Sequence, residues 1–130
     1  GWRSPDAGVV KITTDGALNL VEGRGGAGGV ARSSTAFLGA WSKPYLGVST
    51  DPLIIEAFSL REGVRFATLR GFLHVIIEVD CLELVTLWRT RHNSRSIVAP
   101  ILNVTETWLA ETPSFLVTSL LADCPGNALI

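Results

Sequence analysis

The sequence predicts a mixed α/β domain, and three observations carry that prediction. The first third reads as three short strands in succession. A strongly periodic helix follows, and the second half alternates strand, helix, helix, strand. A helix between a three-strand meander and the next strand implies a parallel crossover, with helices laid on the sheet.

Val9 to Asp15 is rich in β-branched residues and ends at Asp15-Gly16, a turn pair. A Gly-rich turn then leads to a second strand over Gly28 to Ser33 and a third over Phe37 to Ser42. Ser34-Thr35 is the tight connection between them, so the three strands form an antiparallel meander. Asp51-Pro52 reads as the N-cap and first position of a helix. Leu53, Ala57, Leu60, Val64 and Ala67 then recur at helical spacing on one face, and Gly71 closes the helix. Val75 to Asp80 is a short, nearly unbroken apolar run, the pattern of a strand buried on both faces. Cys81 to Trp88 and Ile97 to Ala110 read as helices, and Phe115 to Leu121 as the last strand.

With 130 residues the chain fits one domain over 1–130, on a prior of roughly 100–200 residues per domain. A hydrophobic content of 47% against 18% charged excludes a disordered chain and supports a real core. Cys81 and Cys124 are too few for a disulfide framework, so an intracellular setting, nuclear or cytoplasmic, is expected rather than secretion. No apolar run approaches the roughly 18 residues of a membrane span, so no membrane partner is expected. The start, Gly-Trp-Arg-Ser-Pro, has neither an initiator Met nor a signal-peptide core. It reads as a domain cut from a longer protein or as a matured chain, and a monomer is expected. The net charge of −1 excludes nucleic-acid binding by bulk charge. Nine of the eleven cations are Arg, which suits forked contacts to phosphate, so such binding would have to come from local placement.

Several motifs fail on inspection. Gly23-Arg24-Gly25-Gly26-Ala27-Gly28 fits G-x-G-x-x-G letter for letter, but a strand-like stretch follows where a dinucleotide site needs a helix. Cys81, Cys124, His74 and His92 have no zinc-site spacing, and no G-x-S-x-G marks a nucleophile elbow.

The carboxylates are more informative. Asp15 ends the first strand, Asp80 ends the fourth, and Glu56 lies in the first turns of the first helix. If the first and fourth strands are neighbours, Asp15 and Asp80 meet at one sheet edge, and the helix can lower Glu56 onto them. Three converging carboxylates repel unless a divalent cation neutralises them, and hard oxygen ligands suit magnesium or manganese. Glu78, two residues before Asp80, faces the same side as a candidate outer carboxylate. On spacing alone the same residues fit an Asp-Gly turn, a solvated helix start and a helix cap somewhat better.

Four ordered segments bear on that choice: Val10-Lys11-Ile12-Thr13-Thr14-Asp15-Gly16-Ala17, Gly26-Ala27-Gly28-Gly29-Val30-Ala31-Arg32, Asp51-Pro52-Leu53-Ile54-Ile55-Glu56-Ala57 and Val75-Ile76-Ile77-Glu78-Val79-Asp80. Together they resemble the plant ribonuclease H-like domain, found alone and at the end of retrotransposon-type reverse transcriptases. The resemblance runs from Trp2 to Val117. It implies a ribonuclease H-like α/β fold, a five-stranded mixed sheet flanked by helices. It also implies two-metal hydrolysis of the RNA strand in an RNA/DNA hybrid, with Asp15, Glu56 and Asp80 holding two Mg2+ or Mn2+ ions.

The C-terminal stretch departs from the family pattern. That pattern closes with a His after the last strand, an Arg-Glu-x-Asn stretch, and a fourth Asp or His further on. Here Ser119 stands at the first position and Leu129 at the last, and Pro125-Gly126 breaks the expected final helix. The C-terminal helix is therefore expected to be truncated. Asp123 is the one nearby carboxylate able to substitute, and it fits an exposed loop better. Weakened turnover is expected, and a catalytically degenerate domain that binds nucleic acid or protein is the alternative. Arg89, Arg91, His92 and Arg95 follow the helix after Asp80. By resemblance they lie near the grip on the DNA-strand backbone, while cations at a helix C-terminus also complement the helix dipole. Trp88 and Trp108 fit helix packing, and Lys11 and Arg32 are expected to be solvated.

Overall fold

The computed structural model describes residues 8–19, 24–46, 52–79, 82–89, 98–111 and 114–119. Strands β1 (Val10–Asn19), β2 (Arg24–Arg32) and β3 (Phe37–Leu46) precede helix α1 (Pro52–Leu69) and strand β4 (Val75–Val79). Helices α2 (Leu82–Arg89) and α3 (Ala99–Leu109) lead to strand β5 (Phe115–Ser119). The strands form one sheet in the order β3-β2-β1-β4-β5. The β1–β2 and β2–β3 pairs are antiparallel, and β1–β4 and β4–β5 are parallel. Among the described residues no helix is long and apolar enough to cross a membrane.

The periodicity of α1 is realised from Ala57 onward, while Leu53 is only partly buried against the core. Ala57, Leu60, Val64 and Ala67 are wholly buried, and they join Ile12, Ile77, Val79, Leu84, Trp88, Leu102 and Val117 in the core. Trp108 packs against that core from α3. At the far end of α1, Gly71 takes φ 73°, and the amides of Gly71 and Phe72 bond back to the carbonyls of Thr68 and Ala67. This is the left-handed helix stop that glycine permits, closed by an edge-on contact between Phe66 and Phe72.

The meander is longer than the sequence suggests. β1 does not turn at Asp15-Gly16 but continues to Asn19, pairing with β2 throughout. The Gly-rich run is not a turn; it is strand, with Gly25 to Gly29 inside β2. β3 likewise runs on past Ser42 to Leu46. Packing explains the composition of β2. Ala27 and Ala31 are buried, and alternation puts Gly25 and Gly29 on the same side. On that face Gly29 lies under the Trp41 indole, whose atoms would stand 2.7–2.8 Å from any Cβ there. Only glycine leaves room for the ring.

Candidate functional site

One facet of α1 is fitted to β1. A Cβ on Gly63 would come within 2.9 Å of Thr14 Cγ2, so the helix and strand backbones approach closely. One turn earlier, Ser59 Oγ lies 2.9 Å from the Asp15 carbonyl and 3.0 Å from that of Ile55, and shares its hydrogen between them. Another turn back, Glu56 reaches the strand. A Cβ on Gly16 would lie 3.2 Å from Glu56 Oε1 and 2.7 Å from Ile55 Cγ2. The Glu56 carboxylate is thus seated over the glycine next to Asp15.

The sheet itself marks this place. Among the described residues the last rung of the β1–β4 ladder is Thr14 opposite Val79, and Thr14 Oγ1 donates to the Glu78 carbonyl at 3.3 Å. Asp15, exposed, is the first residue of β1 beyond that last rung. It pairs with Gly28 and so lies mid-strand with respect to β2. Asp80 follows Val79 in sequence and lies outside the described residues.

Lys11 departs from expectation. Lys11 is buried rather than solvated, and its Nζ lies 3.1 Å from Glu78 Oε1. Both side chains are about nine-tenths enclosed, at 9% and 11% exposure. Strand alternation places both on the sheet face opposite α1, where burial makes an unpaired charge costly. The Glu78 carboxylate is charge-balanced by Lys11. Arg32 is exposed as expected, with its guanidinium 5.7 Å from the Phe37 ring centroid.

The donor set suits a hard divalent cation. The missing Cβ of Gly16 is what admits the Glu56 carboxylate, and Asp15 is the neighbouring residue on β1. Among the described residues no group of three His, Cys, Asp or Glu side chains gathers to hold a metal; two of the three expected ligands are described. Of the basic segment, Arg89 is the exposed last residue of α2, and Arg91, His92 and Arg95 lie outside the described residues. So do Asp123, Leu129 and everything else after Ser119.

A second charged group, not singled out by the sequence, flanks α1 on its β3 side. Glu62 is buried and meets Lys43 Nζ at 3.1 Å, Arg61 Nη2 at 3.3 Å and Arg65 Nη1 at 3.7 Å. Tyr45 stacks on Phe58 at 4.8 Å between centroids, and the Arg61 guanidinium lies 4.7 Å from the Phe58 centroid. Burial raises the Tyr45 hydroxyl above its ordinary pKa, and the Glu62 charge adds to the rise, against the opposing Lys43 and Arg61 charges.

Residues 13–121 match the reverse transcriptase-like family. The chain is 36% identical over 93 residues to an Arabidopsis thaliana protein named for ribonuclease H. That alignment covers 69% of this chain and 14% of the relative, so the chain spans a small part of that protein. Among solved structures, ribonuclease H1 of Halobacterium salinarum is similar with TM-score 0.64 and 17% identity, covering 86% of this chain and 85% of that one. LC11 ribonuclease H1, isolated from compost by metagenomics and solved in complex with an RNA/DNA hybrid, gives 0.73 and 15%, covering 92% and 90%. The protease–reverse transcriptase of prototype foamy virus gives 0.66 and 14%, covering 92% of this chain and 18% of that one. At these identities the structural likeness is one of fold. The family match and the sheet order together place this chain in the reverse transcriptase-like family, with a ribonuclease H-like α/β fold.

Proposed function

We propose that this chain is a metal-dependent ribonuclease H-type domain that hydrolyses the RNA strand of RNA/DNA hybrids, with turnover weakened by its divergent C-terminal stretch. The observation that carries the reading is the seating of Glu56 over Gly16, the residue next to Asp15, beside the last described rung of the β1–β4 ladder. Asp15, Glu56 and Asp80 would hold magnesium or manganese. When bound, such cations supply the charge that lets water attack a phosphodiester near neutral pH and that steadies the leaving 3′ oxygen.

The chain's own residues do the positioning. Ser59 ties α1 to the Asp15 carbonyl, so the strand and helix backbones that carry Asp15 and Glu56 are held together before substrate arrives. Arg89 and the segment to Arg95 would meet backbone phosphate.

The test is cleavage of an end-labelled RNA/DNA hybrid in magnesium and in manganese, comparing the natural sequence with Asp15→Asn, Glu56→Gln and Asp80→Asn. The expected result is cleavage by the natural sequence alone, with all four proteins melting cooperatively. Cleavage that survives Asp80→Asn sinks the assignment. A folded protein that binds hybrid without cutting it would instead be a degenerate binding module, the reading that Ser119 in place of the family's His favours.

A further inference from the structure

We propose that Lys43, Arg61 and Arg65 form a second phosphate-binding site, on the β3 flank of α1, that takes the nucleic-acid backbone about 10 Å from the candidate active site, two strand spacings away. It rests on the function proposed above and names where a further stretch of the same substrate lies.

Charge is the first argument. Three cations converge on one buried carboxylate, and among the described residues no other carboxylate pairs with them. Glu62 therefore neutralises one of three charges and leaves the group net positive. The cations are also reachable: Arg65 is 55% exposed, Lys43 42% and Arg61 23%, while Glu62 beneath them is 9% exposed. The carboxylate acts as an anchor, and the cationic heads form the outer layer.

Hydrogen bonding points the same way. Trp41 Nε1 and Arg61 Nε are buried donors with no hydrogen-bond partner, so this flank is short of acceptors as well as of negative charge. A phosphate brings both. Arg61 is braced on the Phe58 ring and Lys43 lies 5.6 Å from the Tyr45 centroid, so the cations are largely ordered before anything binds. Pre-ordering lowers the entropy lost on docking.

Position supplies the third argument. Gly16 pairs with Ala27 and Ala27 with Lys43, so the three occupy one cross-strand row. Gly16 lies under the Glu56 carboxylate, and Lys43 stands two strands away on the same face. A nucleic-acid strand advances roughly 3.4 Å per nucleotide along its axis, so that span is about three nucleotides. A free phosphate ion would satisfy the same chemistry, and the experiment separates the two.

Binding of a fluorescent RNA/DNA hybrid is measured against salt concentration in an Asp80→Asn background, which keeps the substrate intact. Arg61→Gln with Arg65→Gln is compared with Arg32→Gln, an exposed cation elsewhere on the sheet. For every phosphate that is no longer neutralised, the slope of log affinity against log salt should fall by about 0.9, which is about eightfold in affinity at 0.1 M salt relative to 1 M. The double variant should show one to two such steps, and Arg32→Gln none. Glu62→Gln supplies the opposite sign: removing the anchor's charge should tighten hybrid binding even if it lowers the melting temperature, which a purely structural ion cluster would not do. An unchanged slope in the double variant with Glu62→Gln not tightening, or no hybrid binding in the parent at low salt, overturns the proposal. Saturable binding of inorganic phosphate alone that the double variant abolishes, with hybrid binding unaltered, also overturns it. Absence of cleavage by the natural sequence would count against the catalytic reading and leave this binding readout intact.

Discussion

Glu56 and Gly16 are a matched pair: the helix places a carboxylate oxygen 3.2 Å from where the strand residue would carry its Cβ, and the strand residue has none. A methyl group there would stand 2.7 Å from Ile55 Cγ2 and 3.1 Å from Ser59 Oγ, closer than packed atoms tolerate. Gly16→Ala should therefore cost about 1–3 kcal/mol of stability by overpacking and push the first turns of α1 off the sheet. Urea denaturation checks the first effect. A rise in the magnesium concentration needed for half-maximal cleavage checks the second, because Glu56 would move with the helix.

Ser59→Ala isolates the tie between helix and strand. The Asp15 and Ile55 carbonyls lose a shared donor, and a part-buried hydrogen bond of this kind contributes about 0.5–1.5 kcal/mol. The variant should stay folded with a lower urea midpoint and an unchanged m-value. An unchanged midpoint would mean that the close packing of Gly63 on Thr14 suffices to hold α1 in place.

The ion pair of Lys11 and Glu78 predicts a strongly non-additive pair of mutations. Lys11→Met leaves the Glu78 carboxylate in an enclosed place without its counter-charge and should cost about 3–5 kcal/mol. Adding Glu78→Leu should restore most of that loss, since an apolar pair of similar volume needs no charge balance. Thermal melts of the two single variants and the double variant form the cycle.

Tyr45 is the single tyrosine of the chain, so its ionisation can be followed by ultraviolet difference absorbance without overlap. Its folded pKa lies above the ordinary value of 10.0, through burial first and the Glu62 charge second. The tyrosyl transition should therefore come later than in the urea-unfolded chain. The sign for stability follows from linkage: between the two pKa values the unfolded chain has lost a proton that the folded chain keeps. This contribution is complete below pH 10.0 and declines as pH rises through the folded value. Glu62→Gln should shift the transition back down.

Helix α1 was the most legible part of the sequence, because one continuous face of Ala57, Leu60, Val64 and Ala67 specifies both its type and its buried side. The glycine stop at Gly71 and the apolar run of β4 were legible for similar local reasons. The extent of the meander was not. Asp-Gly and a run of glycines are turn chemistry in isolation, and only pairing across β1, β2 and β3 keeps them extended. Burial of Lys11 was hidden too, because its partner comes from β4, far along the chain, and alternation does not say which sheet face is enclosed. The Lys43, Arg61 and Arg65 group escaped notice because β3 and α1 supply it jointly. An Arg-Glu-x-x-Arg spacing at Arg61, Glu62 and Arg65 was the one local signal. Asp15 and Glu56, by contrast, were named from the sequence, and the fold brings their backbones within one serine hydrogen bond.

The small residues of β2 also set a mechanical reference for the candidate site. Away from the Trp41 indole that covers Gly29, Ala27 and Ala31 give the α1 side of β2 almost no side-chain layer to compress. The depth of this ground is fixed by backbone atoms, which change neither rotamer nor volume. A helix resting beside such a surface meets a hard stop rather than a soft cushion. The carboxylate it carries inherits that fixed height, and larger residues on β2 would act as shims, altering the geometry at Glu56 without touching it.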